Sequence, residues 1–138
     1  MGRQGLGNVG ARLRGLTLDA GALIALERRD ERVYALLGRV LAESDAVIHI
    51  PAGVLAQAFR NGPRQARLTR LLKQAQTRVV ALDEQAAYVA GMLLGLRNRS
   101  DVVDASVVVC ARQYRQVVVT SDPDDLRRLD PDLRLEVI

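Results

Sequence analysis

The chain has 138 residues, of which 49% are hydrophobic, and it carries a formal net charge of +4. That length predicts one domain able to bury roughly two-thirds of its unfolded-chain surface. The single cysteine, Cys110, excludes an internal disulfide and a cysteine metal site, and it indicates a reducing compartment. No apolar run approaches the roughly 20 residues of a membrane span, and the N-terminus lacks the apolar core of a signal peptide. We therefore expect a cytoplasmic protein with no membrane contact.

The first fifteen residues, MGRQGLGNVGARLRG, contain five glycines, three arginines and no acidic residue. This composition predicts a flexible basic arm over residues 1–15 and a folded domain over residues 16–138. Residues 5–10 match the G-x-G-x-x-G pattern of dinucleotide-binding proteins, but that motif needs a preceding strand and only four residues come before it. We therefore expect no dinucleotide site in the arm.

The first half of the remaining chain alternates short apolar runs with segments of helical period. In residues 30–44, apolar side chains recur about every 3.6 residues, which predicts a helix with one buried face. Pro51 suits the first turn of a helix, and Asn61-Gly62 ends that helix before Pro63 begins the next. The predicted elements are strands over 16–19, 47–50 and 78–82 and helices over 20–29, 30–44, 54–60 and 64–75.

The second half follows the same alternation, with one ambiguous segment. Residues 102–114 are rich in valine and could form a buried strand, but their length and the short strand that follows favour a helix. The other predicted elements are a helix over 83–96, a strand over 117–120, a helix that begins at Pro123 and a strand over 133–138. Short strands separated by helices predict an α/β fold, in which helices cover both faces of a parallel sheet.

Three aspartates stand within the four residues 122–125, directly after a predicted strand. Helix capping alone explains them. Asp122 suits an N-cap, and Asp124 and Asp125 suit the positive end of the helix dipole.

Other aspartates also stand at predicted helix starts. Asp101 and Asp104 begin the valine-rich helix, and Asp19 follows the first strand, so capping suits each of them taken singly. In open parallel sheets, however, the ligand crevice lies outside the carboxyl ends of the strands, where Asp19, Asp104 and Asp122 could converge. Clustered carboxylates repel each other unless cations bind them, and oxygen ligands suit Mg²⁺ or Mn²⁺. We therefore expect an acidic metal site.

Three segments resemble the acidic motifs of PIN-domain ribonucleases, especially the VapC-like toxins. They are LTLDAGALIAL at 16–26, DVVDASVVVCA at 101–111 and VVVTSDPDDL at 117–126. The resemblance implies a three-layer sandwich with a central parallel sheet of about five strands flanked by helices. It also implies Mg²⁺- or Mn²⁺-dependent cleavage of single-stranded RNA. By position, Asp19, Asp104 and Asp122 match the catalytic and metal-binding acids, and Thr120 matches the threonine beside the last acid.

One acidic position of the family holds glutamine here. The helix after the second strand normally supplies a glutamate, and Gln57 stands at the matching place. Glutamine keeps a carbonyl oxygen that can ligate a metal or orient its water, but it lacks the negative charge, so metal affinity should fall. Asp101, one turn before Asp104, or Asp124 could supply a compensating ligand, and exposed capping is the alternative for both. The alternative for Gln57 is an ordinary exposed helix residue.

Basic residues are concentrated between residues 46 and 82, where the sequence has no acidic residue. This segment predicts a cationic surface for RNA phosphates, with Arg60, Arg64 and Arg67 as nucleic-acid-binding residues. The alternative is a solvated helix face, because the arginines of this segment lie mostly opposite its leucines.

The leading hypothesis is a metal-dependent endoribonuclease, the toxin of a toxin–antitoxin pair. The resemblance further implies a small antitoxin protein as partner and a homodimer. A metal-free ribonuclease that uses two histidines is excluded, because His49 is the only histidine. The alternative is a PIN-like RNA- or protein-binding module whose incomplete acidic site, with Gln57, no longer cleaves.

Overall fold

The computed structural model describes residues 15–138, so the arm predicted before residue 15 lies outside the described part. Gly15, which the composition assigned to the arm, is instead the first residue of a strand. Its φ of 138° is accessible to glycine, and a Cβ atom there would lie 1.7 Å from the carbonyl oxygen of Val47. Glycine therefore allows the first strand to approach its neighbour.

Five strands and seven helices make up the described part of the chain. The strands are β1 (Gly15–Leu18), β2 (Val47–Pro51), β3 (Thr77–Val80), β4 (Val117–Thr120) and β5 (Leu135–Val137). The helices are α1 (Ala20–Glu27), α2 (Glu31–Leu41), α3 (Ala52–Ala58), α4 (Ala66–Leu72), α5 (Glu84–Arg97), α6 (Val102–Tyr114) and α7 (Pro123–Leu129).

Most predicted elements are present, and the differences lie at their ends. The helix predicted over 64–75 is shorter, because Gln65 stands at its N-cap and the helix ends at Leu72. Pro51 does not lie inside a helical turn: it is the last residue of β2 and precedes α3. Among residues 15–138, no helix is long and apolar enough to cross a membrane.

All strands are parallel and lie in the order β3-β2-β1-β4-β5. From the central strand β1 the chain moves outward to β2 and β3, then returns to the other side of β1 for β4 and β5. The direction of winding therefore reverses between β1 and β4. In folds of this kind the crevice at that reversal is the preferred place for a ligand.

The helices cover the sheet in two layers. Helix α1 packs against α2, α3 and α4 on one side, while α6 packs against α5, α7 and the strands on the other. The core between the layers is aliphatic, with Leu16, Leu18, Ile48, Ile50 and Val118 fully buried. The fold is the predicted three-layer α/β sandwich.

Helix α6 carries the valine-rich sequence that could have formed a strand. Residues 105–111 are all buried, so this helix is covered on nearly every side by the sheet and the flanking helices. A helix buried all round needs apolar residues at every position, and the β-branched valines supply them despite their modest helix propensity. Tertiary burial therefore explains the composition.

The only histidine takes part in a buried polar cluster beneath α6. His49 Nδ1 lies 3.0 Å from Gln116 Oε1, which also accepts a hydrogen bond from Thr17 Oγ1 at 2.8 Å. The His49 ring stacks on Tyr114 with centroids 3.7 Å apart, and burial lowers the pKa of the imidazole. These contacts give His49 a structural role.

Candidate active site

Two of the predicted acids leave the sheet on either side of the winding reversal. Asp19 follows β1 directly, and Asp122 comes two residues after β4. In the register of these strands Leu18 pairs with Val119, and the Asp19 backbone N–H donates to the Val119 carbonyl at 3.2 Å. Strand pairing therefore sets both aspartates at the same edge of the sheet.

Thr120 joins the two loops that carry these aspartates. Its side chain is fully buried, and its Oγ1 accepts a hydrogen bond from the Asp122 backbone N–H at 2.9 Å. The same hydroxyl donates a hydrogen bond to the Asp19 carboxylate. Burial raises the pKa of that carboxyl, and this hydrogen bond offsets part of the rise. A buried hydroxyl needs such partners, and here the pairing fixes Asp19 relative to Asp122.

Capping accounts for some of the aspartates but not for all of them. Asp19 accepts a hydrogen bond from Ala22 N at 3.0 Å, and Asp101 accepts one from Asp104 N at 2.9 Å, so both cap their helices. Asp122 stands at the N-cap position of α7 as expected, but its side chain makes no capping hydrogen bond and is exposed. Pro123 at the start of α7 lacks an N–H, so fewer donors there need a cap.

Asp104 lies in the first turn of α6 and is half-buried. Burial raises the pKa of its carboxyl to about 6, and repulsion by neighbouring carboxylates adds to the rise. These neighbours are Asp101, Asp125, Asp122 and Asp19. Burial also raises the pKa of Asp19, with a further contribution from Asp122. Asp19 and Asp122 thus lie near enough to Asp104 to interact with it electrostatically, and we call these three acids the cluster.

The chemistry of this cluster fits a hard divalent cation, because its donors are carboxylate oxygens that repel one another. The positions of the described carboxylates, however, do not form a complete metal site. Among residues 15–138, no three His, Cys, Asp or Glu side chains are placed so that they could hold a metal ion together. The expectation that Asp19, Asp104 and Asp122 lie within one coordination sphere is therefore not met.

Two glycines, neither of which the sequence analysis singled out, bring the site elements close together. A Cβ atom on Gly21 would lie 2.1 Å from Ser121 Oγ, so the start of α1 and the loop after β4 touch. A Cβ atom on Gly53 would lie 3.2 Å from Val103 Cγ2, where α3 meets α6. The need for glycine at these two positions comes from contacts with residues far away in the chain. Local sequence does not show it, because neither glycine has an unusual φ or stands in a turn.

Gln57 lies on α3, one turn beyond Gly53, and is exposed. It makes no hydrogen bond with the aspartates of the cluster within the described residues. Instead it lines a cavity of about 330 Å³ together with Ile24 and Glu27 of α1. The place that would carry a fourth acid therefore faces an open space beside α1.

The predicted nucleic-acid-binding arginines border this same side of the molecule. Arg60 and Arg64 line the cavity that contains Gln57, and Arg64 and Arg67 line a neighbouring one. The Arg60 guanidinium donates to the carbonyl oxygens of Ala56 and Phe59, at 3.0 and 2.8 Å. Arg67 is partly buried rather than fully solvated.

The close approach at Gly21 predicts a specific destabilisation. Gly21→Ala places a methyl group against Ser121, and overpacking of this kind costs about 1 to 3 kcal/mol. The double variant Gly21→Ala, Ser121→Gly removes the obstructing side chain, so it should recover part of the loss in urea unfolding. As a matched control, Gly38→Ala on α2, which meets no atom within 4 Å, should stabilise the protein. Equal stability of Gly21→Ala and the wild type would contradict the packing argument.

Burial of the Asp104 carboxyl, together with repulsion by its acidic neighbours, predicts a pH-dependent gain in stability for Asp104→Asn. Because the folded-state pKa of about 6 is above the ordinary value of 3.8, the folded protein holds this proton more tightly than the unfolded chain. The resulting stabilisation is present at low pH and is lost as the pH rises through about 6. In EDTA, Asp104→Asn should therefore raise Tm by about 3 °C at neutral pH or above, after allowance for solvent screening.

At pH values below the ordinary carboxyl pKa, the same substitution should change Tm little. Asp124→Asn, on the exposed first turn of α7, is the control and should show no comparable gain. A gain in Tm that is independent of pH would remove the electrostatic explanation.

Comparison with known proteins agrees with this architecture. A family model of the PIN domain matches residues 16–131. The structure is similar to VapBC2 from Rickettsia felis bound to a promoter DNA fragment, with 18% identity and a TM-score of 0.67 over 90% of this chain and 98% of that one. FitAB bound to an IR36 DNA fragment gives 18% identity and a TM-score of 0.62, covering 88% and 94%. FitAcB from Neisseria gonorrhoeae gives 20% identity and a TM-score of 0.60 over 87% of this chain and 95% of that one.

At these identities the structural similarity concerns the fold. No curated protein matches the sequence. The match to the PIN domain, in contrast, extends over most of the chain and includes Asp19, Thr120, Asp104 and Asp122. The chain belongs to the PIN domain family.

Proposed function

We propose that this protein is a metal-dependent endoribonuclease that cleaves single-stranded RNA, and that it is the toxin of a toxin–antitoxin pair acting in the cytoplasm. The observation that carries the proposal is Asp122, whose exposed carboxylate has no capping role and lies in one electrostatic cluster with Asp19 and Asp104. Helix capping does not explain that arrangement. Proteins with a PIN domain are typically nucleases.

Each residue of the cluster has a distinct part in the proposal. Asp19, Asp104 and Asp122 would hold a Mg²⁺ or Mn²⁺ ion through carboxylate oxygens, with Asp101 as a peripheral acid at the start of α6. Thr120 keeps the Asp19 and Asp122 loops together through its hydroxyl. Gln57, on α3, orients a water molecule through its amide. The chemistry that the bound ion supplies is activation of a water nucleophile and neutralisation of charge on the phosphate oxygens.

The partner proteins of the structural neighbours support an antitoxin for this chain. VapBC2 and FitAB are named for complexes of two components, and both were solved with DNA. We infer that a small DNA-binding partner holds this protein inactive.

A second candidate function is a PIN-like RNA- or protein-binding module without nuclease activity. The observation that favours it is Gln57, which leaves the cluster without the family's fourth acid. A neutral amide binds a divalent cation more weakly than a carboxylate. The two candidates therefore differ in what the site does at a given metal concentration.

Gln57→Glu separates these two candidates. If the protein is a nuclease with a weakened site, the added carboxylate should tighten Mn²⁺ binding about tenfold, equivalent to roughly 1.4 kcal/mol. RNA cleavage should then appear at lower Mn²⁺ concentration. Folding should be little affected, because both residues are good helix formers and position 57 is exposed. The measurement is a titration of Mn²⁺ against cleavage of a labelled single-stranded RNA by both proteins.

Asp19→Asn and Asp122→Asn are the controls for contaminating nuclease, and both should abolish metal-dependent cleavage. If neither the wild type nor Gln57→Glu cuts RNA at millimolar metal while the wild type still binds RNA or a partner, the binding-module function replaces the nuclease.

We also propose that the protein is a homodimer formed through helix α5. Tyr88, Met92 and Leu96 lie one turn apart on this helix and are 65%, 73% and 78% exposed. A row of three large apolar side chains on one helix is an uncommon surface for a monomer and indicates a protein contact. Helix α5 packs on α6 through its opposite side, where Ala90 and Leu93 are buried.

Charge favours a second copy as the occupant of this surface. Asp83 and Glu84 stand at the N-terminal end of α5, and Arg97 and Arg99 stand at its C-terminal end. A two-fold axis across the helix makes the two copies antiparallel, so each acidic end meets the basic end of its partner. The helix dipoles are then also antiparallel.

Met92→Glu should convert the dimer to a monomer, because it places a charge at the centre of the apolar row. Sedimentation equilibrium measures the change directly. Val137→Glu on β5, at an exposed apolar position away from α5, is the matched control and should leave the dimer intact. A monomeric wild type, or a variant that loses antitoxin binding but keeps its dimer, would contradict the self-association.

A further inference from the structure

A cavity of about 440 Å³ lies between the C-terminal end of α1 and helix α4. Its wall is strongly basic. The arginines that line it are Arg28, Arg29, Arg64, Arg67 and Arg70, with Glu27 as the single carboxylate. Pro63 and Ala66 complete the wall.

None of the arginines of the cavity forms an ion pair within residues 15–138. Within residues 15–138, the arginines that form ion pairs are Arg32, Arg112, Arg127 and Arg128, none of which lines the cavity. Glu27 accepts a hydrogen bond from Gln65 Nε2 at 2.7 Å instead of an ion pair. Asp30, which follows Arg29, is paired with Arg32 at 3.1 Å. Several like charges therefore surround a space that could hold an anion, and such an anion would relieve their repulsion.

Arg67 is held in place on the cavity wall and has an unpaired hydrogen-bond donor. Its guanidinium lies over the Tyr34 ring, 4.7 Å from the centroid, which fixes the side chain on the wall. Its Nη1 is buried and has no hydrogen-bond partner among the described residues. Leaving a buried donor unpaired costs about 1 to 3 kcal/mol, and an anionic oxygen in the cavity would supply the acceptor.

The cavity adjoins the one that Gln57 lines. The neighbouring cavity of about 330 Å³ contains Gln57 and shares Glu27, Pro63 and Arg64 with the basic one. Helix α1 runs along both, from its N-cap Asp19 to its C-cap Arg28. At 1.5 Å per residue, its ends are about 13 Å apart, a span of a few nucleotides of single-stranded RNA.

We propose that the arginine cavity binds a phosphate group of the RNA strand a few nucleotides from the phosphate that is cleaved. Guanidinium groups suit this ligand, because their planar donors can pair with two phosphate oxygens at once. The proposal rests on RNA as the substrate of the proposed function and assigns a subsite to it. It extends the predicted basic surface from α4 and the loop before it to Arg28 and Arg29 of α1 and to Arg70.

The test measures RNA binding in EDTA, so that it is independent of cleavage. The probe is a fluorescent oligouridylate of about ten nucleotides, and its anisotropy is followed at several salt concentrations. The variant Arg64→Gln, Arg70→Gln removes two cavity charges that make no hydrogen bond or ion pair within residues 15–138, and Arg67 and its stacking on Tyr34 remain. We expect about tenfold weaker binding and a salt slope reduced by about 0.7, the contribution of one single-strand phosphate contact.

Two matched variants separate the cavity from net charge. Arg39→Gln, Arg115→Gln removes the same charge at exposed positions outside the cavity, so its affinity should stay near that of the wild type. Arg64→Lys, Arg70→Lys keeps the charge and should recover most, but not all, of the affinity, because lysine cannot bind phosphate through two planar donors. Circular dichroism melting establishes that all three variants are folded.

The outcomes are distinct from those of the nuclease assay. Equal loss of affinity in the cavity variant and the control would overturn the subsite, even if the wild type cleaves RNA. So would a cavity variant that binds RNA normally but fails to bind the antitoxin, which would assign the arginines to an acidic protein segment. A selective loss of RNA affinity in the cavity variant would support the subsite even if no cleavage is detected.

Discussion

The site depends on the parallel pairing of β1 with β4, the two strands between which the winding of the sheet reverses. Their register places Asp19 beside Thr120, and the Thr120 hydroxyl then connects the Asp19 carboxylate with the Asp122 backbone. Gly21 permits the closest approach of the two loops, since any side chain there would meet Ser121. A shift of one residue in this register would separate the two acids, so sheet formation and assembly of the site are the same event.

This assembly has an electrostatic cost that the fold must offset. Asp104 and Asp19 both have raised pKa values, because burial and neighbouring carboxylates disfavour their charged forms. The offset comes from apolar burial around the same residues: α6 carries Asp104 at its start and is buried along residues 105–111. A helix so deeply enclosed cannot move away from the cluster, which explains how the protein tolerates repulsion at its first turn. Perturbed pKa values of this kind are commonly found at functional sites.

The sequence was most informative where local pattern and burial agree. The alternation of strands and helices predicted the parallel sheet, and the length of the valine-rich segment distinguished α6 from a strand. Local pattern could not reveal that the Asp122 side chain makes no capping hydrogen bond. An aspartate before a proline fits the start of a helix whether or not its carboxylate caps that helix. Gly21 and the basic cavity could not be predicted for a different reason: both depend on residues far apart in the chain, since Gly21 lies against Ser121 and Arg29 lines the same cavity as Arg70.

Helix α1 separates charge along the whole candidate site. It has eight residues, with Asp19 at its N-cap and Arg28 and Arg29 just beyond its C-terminal end. The positive end of its dipole thus stabilises the carboxylate, and the negative end stabilises the guanidinium groups. A phosphate backbone needs both ends: cations where a strand is held, and acids that bind a metal where it is cut. In the proposed nuclease, this short helix would set the distance between the arginines that hold the RNA and the acids that bind the metal, and its buried Leu23 and Leu26 anchor it to the core.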